Sequence, residues 1–484
     1  MRSNAKVIPG HPKQTFIRIN HQENNMTRSE VKVNLSVPAG KIRKINGGNL
    51  GPSMLSNSED HPYGDHAPDF AALNIPITRL HDAPYENPGR RLVDIPQIFP
   101  NMDFDAEDPA NYYFPHTDDY IKEILDCGTQ VMYRLGVSIE HGKKRYWCDK
   151  PKDVKKYAAV CANIIRHYNY GKWEGHHWNI QYWEIWNEPE NWDWEWENDV
   201  AVRRKLPRQF GGTIEEFNEF YCELATILKN TFPELKFGGP SHGEPKKYAV
   251  DFLNYCKEHN APLDFYSCHM YSDSVQKHKD MVFDVRKKLD DAGFKNTELH
   301  LNEWHYHPRH PAWYSKSPVK VQRKYLSGYY RESKGLNSAA MLCAVLTAWQ
   351  DAPIDMGNYY TTGSANGYGL YDLYAPTPSY YGLKAFGEIV RYTERISCEC
   401  EEPIYALAGH NEKGEYALLV SAYRTNTGCG RIRISFDSGV DISGVELLDE
   451  HNELDRIYFE QIENTVDIGY TGDSCVVLVK FTRK

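Results

Sequence analysis

Residues 180–189 read IQYWEIWNEP, a short apolar and aromatic run that closes on Asn187-Glu188-Pro189. A run of this length, rich in Ile, Tyr and Trp, is the pattern of a buried strand. Its neighbours on both sides are helical. Upstream, Asp153 can cap a helix whose face is Val154, Tyr157, Ala158, Cys161, Ile164 and Ile165. Downstream, Thr213-Ile-Glu-Glu216 is a capping box, followed by Phe217, Phe220, Tyr221, Leu224, Ile227 and Leu228 at helical spacing, with Pro233 as the stop. A strand set between two such helices is the unit of a parallel α/β sheet.

The same rhythm runs from about residue 40 to 390. Its strand candidates are Ile42 to Asn46, Ile77 to His81, Gln130 to Leu135, Ile180 to Trp186, Lys236 to Gly239, Phe265 to His269, Leu299 to Glu303 and Met341 to Trp349. Eight strands predict a closed (β/α)8 TIM barrel more than an open doubly wound sheet, which carries a glycine-rich phosphate loop after its first strand. The last barrel helix is expected to start at Thr377-Pro378 and to end near Val390. Beyond residue 391 the pattern becomes short alternating strands, among them Tyr416 to Ser421, Arg431 to Phe436 and Ser474 to Phe481. The expected layout is an N-terminal segment 1–38, a catalytic barrel 39–390 and a smaller all-β, sandwich-like domain 391–484. Val31 to Val37 also alternates and can add a strand to that β domain.

Composition narrows the partners. Of 484 residues 13% are aromatic, with 34 Tyr and 11 Trp, and flat rings suit sugars. A formal charge of -10 without a long basic run argues against nucleic acid or an anionic membrane as partner. The first residues lack the apolar core of a secretory signal, and the longest apolar run, Ala339 to Trp349, is too short to span a bilayer. Eleven scattered cysteines look like reduced core residues rather than a disulfide framework. The expectation is a cytoplasmic protein; whether it forms a homo-oligomer is left open.

Catalytic residues of a barrel sit where strands end. Glu188 does so on strand four, and Glu303, in Leu299-His-Leu-Asn-Glu303-Trp-His, does so on strand seven. Two carboxyl groups are what glycosidic cleavage with retention requires, one to protonate the leaving oxygen and one to attack the anomeric carbon. On this reading one of Glu188 and Glu303 is the general acid/base, its pKa raised by the charge of the other, and the other is the nucleophile. Asn187 is placed to hydrogen-bond a sugar 2-hydroxyl.

These motifs resemble the retaining (β/α)8 glycosidases that carry Asn-Glu on strand four and Glu on strand seven, and within them glycoside hydrolase family 39, the β-xylosidase and α-L-iduronidase family. Trp186-Asn187-Glu188-Pro189 resembles its acid/base motif and Glu303-Trp304 its nucleophile motif. The resemblance implies that Arg79 and His81 on strand two, and His269 and Tyr271 on strand six, are glycone contacts; Arg79 could equally hold Glu303 ionised. His305 stands where the family usually has Asn. Trp304, Trp349, after the presumed strand eight, and Trp192, in Asn191-Trp-Asp-Trp-Glu-Trp196, are further candidates for contact with an oligosaccharide. The implied substrate is a β-xyloside. Alternatives are arabinosidase, galactosidase, glucosidase or iduronidase specificity, the last without an identifiable basic clamp, or a barrel that only binds polysaccharide. No cofactor is implied, and a metal at His305, His307 and His310 is disfavoured by Pro308 and by the lack of partner ligands.

Overall fold

The computed structural model describes residues 28–52, 64–83, 92–140, 144–197, 200–363, 367–372 and 374–484, without the side chains of 192–206. Eight parallel strands close into a barrel: Asn46–Asn49, Ile77–Leu80, Gln130–Leu135, Tyr182–Ile185, Lys236–His242, Phe265–Tyr271, Glu298–His305 and Met356–Tyr359. They are barrel strands one to eight below.

Local chemistry fixes the surrounding helices. Asp153 accepts the Lys156 N–H to start Val154–Tyr170, which Gly171 ends in the left-handed region at φ +70. Thr213 and Glu216 form the reciprocal capping box of Ile214–Thr231. The last helix, Pro378–Ile389, starts after Thr377 as its pattern predicts.

Strand eight is a correction. The run 341–349 lies in the helix Leu336–Ala348 and the turn after it, and the strand follows at Met356–Tyr359. An apolar run buried all round has no periodicity to tell strand from helix, and its alanines favour helix. Ser338 to Thr347 are all buried because the helix lies between the barrel and a second sheet. Strand one is likewise displaced, from 42–46 to Asn46–Asn49.

That second sheet has ten strands and folds back on itself into the expected sandwich-like layers: Phe436 and Phe481, on strands far apart in its order, pack with ring centroids 4.8 Å apart within one shared core. Arg28–Lys41 lies inside it, antiparallel to Glu394–Glu399 and parallel to Cys429–Phe436, so strands from before and after the barrel share it. Glu415–Ala422 buries both faces: Leu418 and Val420 join the sheet's own core, whereas Ala417 and Leu419 join the barrel's. Ser421 Oγ donates to the Ala340 carbonyl across this seam at 2.7 Å. All eleven cysteines are free. Among the described residues no helix is long and apolar enough to cross a membrane.

Candidate active site

The C-terminal mouth is organised around Arg79 on strand two, which has no exposed surface. Its Nη1 donates to Glu303 Oε1 at 2.8 Å, and its Nη2 donates to Asn187 Oδ1 at 2.6 Å and to Ser241 Oγ at 2.9 Å. Its Nε donates to Glu184, a fully buried carboxylate on strand four that also receives the Asn302 amide at 2.6 Å. A buried guanidinium needs such neighbours, and burial, which would lower its pKa, is outweighed by Glu184 and Glu303.

Irregular backbone aims the two carboxylates of the sequence motif. Trp186 at φ +72, Glu188 at φ +39 and Ser241 at φ +62 occupy the left-handed region that side chains rarely adopt, at a cost of roughly 1–3 kcal/mol each. The Glu188 N–H donates to the Ser241 carbonyl at 3.0 Å. Along strand seven, Leu301 pairs with Cys268 but Glu303 with His269, so Asn302 is an extra residue. This bulge lets Asn302 and Glu303 both bond inside the barrel, although strict alternation would put them on opposite faces. A second irregularity, between Pro240 and His242 on strand five, does the same for Ser241.

His269 joins the carboxylates. Its Nδ1 lies 2.8 Å from Glu188 Oε1 and 3.4 Å from Glu303 Oε2, and one oxygen of each Glu and this nitrogen lie within 4.8 Å of one another. Its Nε2 is 2.7 Å from Ser241 Oγ. Arg79 can only donate, which fixes Asn187 Oδ1 as an acceptor; Ser241 Oγ lies 2.9 Å from that Oδ1 and itself accepts from Arg79 and from the Asn302 amide at 2.7 Å. Nδ1 faces the two carboxylates. Burial would lower the His269 pKa, but Glu303 and Glu188 outweigh it and raise it above its ordinary value.

The carboxyl pKa values depart from the sequence expectation. Burial would raise Glu188, but the hydrogen bond and charge of His269, the Asn191 amide at 2.8 Å and Arg79 bring it below its ordinary value. Glu303 is raised, because burial and the Glu188 charge outweigh His269, Arg79 and the Tyr271 hydroxyl, which donates to its Oε2 at 2.6 Å. The raised Glu188 expected from Glu303 alone is thus overturned by a proton donor that the sequence pattern does not position. Glu190 is the third carboxyl of the group. Burial and the Glu188 charge push it up to about 7; its Oε1 accepts the Glu244 N–H at 3.0 Å, and its Oε2 has no hydrogen-bond partner among the described residues.

Of the sequence-derived candidates, Glu188, Glu303, Asn187, Arg79, His269 and Tyr271 converge in this network. His81 sits beside it, with Nε2 3.7 Å from Glu303 Oε1. Trp304 and Trp349 do not reach the mouth: both are fully buried and pack against each other at 4.9 Å, next to His278. Trp304 follows Glu303 and so points to the opposite face of strand seven. Trp192 lies in a hairpin strand, Trp192–Glu197, but its side chain lies outside the described residues. His305 is buried against Tyr359, 2.8 Å from its hydroxyl, whereas His310 is exposed, so that cluster does not converge. Glu184, Glu190, Asn191, Ser241 and Asn302 were not singled out by sequence, nor were Tyr360 and Tyr368, half-buried rings about 6.4 Å from Tyr271.

Fold and site together define a (β/α)8 barrel with a paired-carboxylate centre at the ends of strands four and seven. The model of Glycosyl hydrolases family 39 matches residues 92–327, and over that stretch the chain is similar to this family. It is 24% identical over 251 residues to a β-xylosidase of Geobacillus stearothermophilus, covering 46% of each chain. To a β-xylosidase of Caldicellulosiruptor saccharolyticus it is 24% identical over 349 residues, covering 64% of each. The chain thus matches between about half and two thirds of the length of these relatives. A crystal structure of a glucosidase from Croceicoccus marinus superposes with a TM-score of 0.70 at 21% identity, covering 95% of this chain and 100% of that one, a likeness of fold.

Proposed function

We propose that the protein is a retaining glycoside hydrolase acting on β-xyloside-like substrates, with Glu303 as nucleophile and Glu188 as acid/base. The observation that carries the reading is the approach of the two carboxylates, with an oxygen of each inside a 4.8 Å cluster. That leaves no room for the water an inverting pair must hold, which requires about 6.5–9.5 Å. The β-xyloside rests on the family and on the names of the relatives.

In this mechanism Glu303 attacks the anomeric carbon, oriented by Arg79 and Tyr271, as Glu188 hands a proton to the departing oxygen; a water activated by Glu188 then releases the sugar. Glu188 acquires that proton from His269 along their 2.8 Å contact. Esterification of Glu303 removes its charge, and the water attacks while Glu188 is the carboxylate. The rings of Tyr360 and Tyr368 supply flat surface for the sugar. We assign residues 39–390 as the catalytic unit, and the free cysteines favour a reducing compartment such as the cytoplasm.

Chemical rescue tests the roles. Glu188→Ala should retain much of its glycosylation rate on a dinitrophenyl glycoside, lose orders of magnitude on a natural oligosaccharide, and give a glycosyl azide of retained configuration. Glu303→Gly should lose both substrates and give the opposite anomer with azide. Identical behaviour of the two variants would refute the assignment, and a panel of nitrophenyl glycosides decides the sugar.

A further inference from the structure

We propose that Asp118, His167 and His176 form a second site, a three-ligand centre for a zinc-class divalent ion outside the barrel mouth. Asp118 lies in the first turn of the helix Pro115–Asp126 and His167 in the last turn of Val154–Tyr170, the two helices that flank strand three in sequence. His176 comes from the loop that follows. None of the three is bonded to the network around Arg79.

One ligand atom from each lies within 4.8 Å of the others. His167 Nε2 is 3.2 Å from Asp118 Oδ1, and His176 Nε2 is 3.5 Å from Asp118 Oδ2. Ligands at 2.0–2.2 Å around a tetrahedral zinc stand about 3.3–3.5 Å apart, which the two His–Asp118 spacings match. Two imidazoles and one carboxylate leave the fourth position to water.

The surroundings orient the ligands as a metal requires. His167 Nδ1 is 3.1 Å from the Lys172 carbonyl, which can only accept, so Nδ1 carries the hydrogen. This leaves Nε2 as the ring atom that faces the Asp118 carboxylate, the arrangement in which an imidazole and a carboxylate can share an ion. Phe114 stacks on His167 with centroids 3.7 Å apart, and Trp178 stacks on His176 at 3.8 Å, holding both rings. The loop approaches closely only because residue 175 is glycine: a Cβ there would fall 2.7 Å from His167 Nδ1 and 2.2 Å from the His167 carbonyl. His176 N–H then donates to that carbonyl at 2.6 Å. The other cluster of metal spacing, Glu188, His269 and Glu303, already has the Arg79 charge at 2.8 Å from Glu303, which opposes a cation.

The alternative is a direct contact between Asp118 and His167 with no ion between them. Zinc added to the chelator-stripped full chain separates the two. The site predicts one zinc per chain by equilibrium dialysis, a rise in melting midpoint with zinc, and the visible absorption of four-coordinate cobalt(II) when cobalt replaces it. His176→Ala, which removes a partly exposed side chain, and the near-isosteric Asp118→Asn should each weaken zinc binding by at least about 100-fold, judging from the 10- to 100-fold typical of mere outer-shell changes. Both should abolish the zinc-dependent midpoint rise. A chain that takes up no zinc overturns the proposal, and so does zinc binding that survives both variants or that is lost in Glu303→Gln instead.

Discussion

Replacing Glu190 by Gln turns its unusual carboxyl into a measurement. In the folded protein burial and the Glu188 charge hold Glu190 at about 7, against an ordinary 4.5. A raised folded pKa means that the folded state binds the proton more tightly than the unfolded one. The resulting stability is fully present below pH 4.5 and is lost as pH rises through about 7. At about 1.4 kcal/mol per pH unit over that interval the loss is roughly 3 kcal/mol, a large part of an ordinary folding free energy. Glu190→Gln keeps the neutral form at every pH, and its amide nearly matches the protonated carboxyl in shape. Urea unfolding of both proteins from pH 4 to 9 should therefore show similar stability at the acid end. Above pH 8 the Glu190→Gln variant should be the more stable by roughly 3 kcal/mol. Parallel curves across that range, or a variant that is relatively weaker at alkaline pH, would refute the placement of a neutral carboxyl beside Glu188.

Two further outcomes follow from close contacts. A Cβ at residue 243 would lie 2.7 Å from Glu188 Oε1, so Gly243→Ala should displace Glu188, the proposed acid/base, and lower kcat/KM on a natural glycoside by about 100-fold or more, with a much smaller loss on a dinitrophenyl glycoside; equal losses on both would argue against that role. Arg134→Met leaves buried Asp94, which bonds Arg134 and the Ser138 N–H and hydroxyl, without its counter-charge and should cost about 3–5 kcal/mol in chemical denaturation; a loss below about 1 kcal/mol would show that this pair does not hold strand three.

Much of the architecture was legible because it is written in short-range chemistry. Asp153, Thr213 with Glu216, and Thr377-Pro378 each mark a helix start, and strand three begins and ends at Gln130 and Leu135 as its apolar run predicts. Strand eight failed because Leu336–Ala348 is enclosed on every side, which erases the amphipathic signal that separates helix from strand. At the site, residues at strand ends were recoverable from motif and position. Those aimed by a bulge were not: Asn302 and Ser241 are polar residues among apolar neighbours until an extra residue in the ladder turns them inward. Glu184 did leave a trace, being a charge inside an otherwise apolar strand, a pattern that calls for a buried partner.

The opposite displacements of the two carboxyls bear on how such a centre would start its cycle. His269 Nδ1 faces both carboxylates, and the same contact that raises the His269 pKa holds Glu188 below its ordinary value. Glu188 is then a carboxylate, which in the proposed mechanism is the form that activates water and not the form that protonates a leaving group. Moving one proton from Nδ1 to Oε1 converts the resting arrangement into the acid form without recruiting a group from solvent. A substrate that covers the mouth favours that transfer, since withdrawing water penalises the separated charges of imidazolium and carboxylate more than the neutral pair. The acidity of Glu188 is therefore governed by His269, Asn191 and Arg79 as much as by the nearby charge of Glu303. That would couple the acid form to occupancy of the mouth, so that an empty site holds Glu188 ready only as a base.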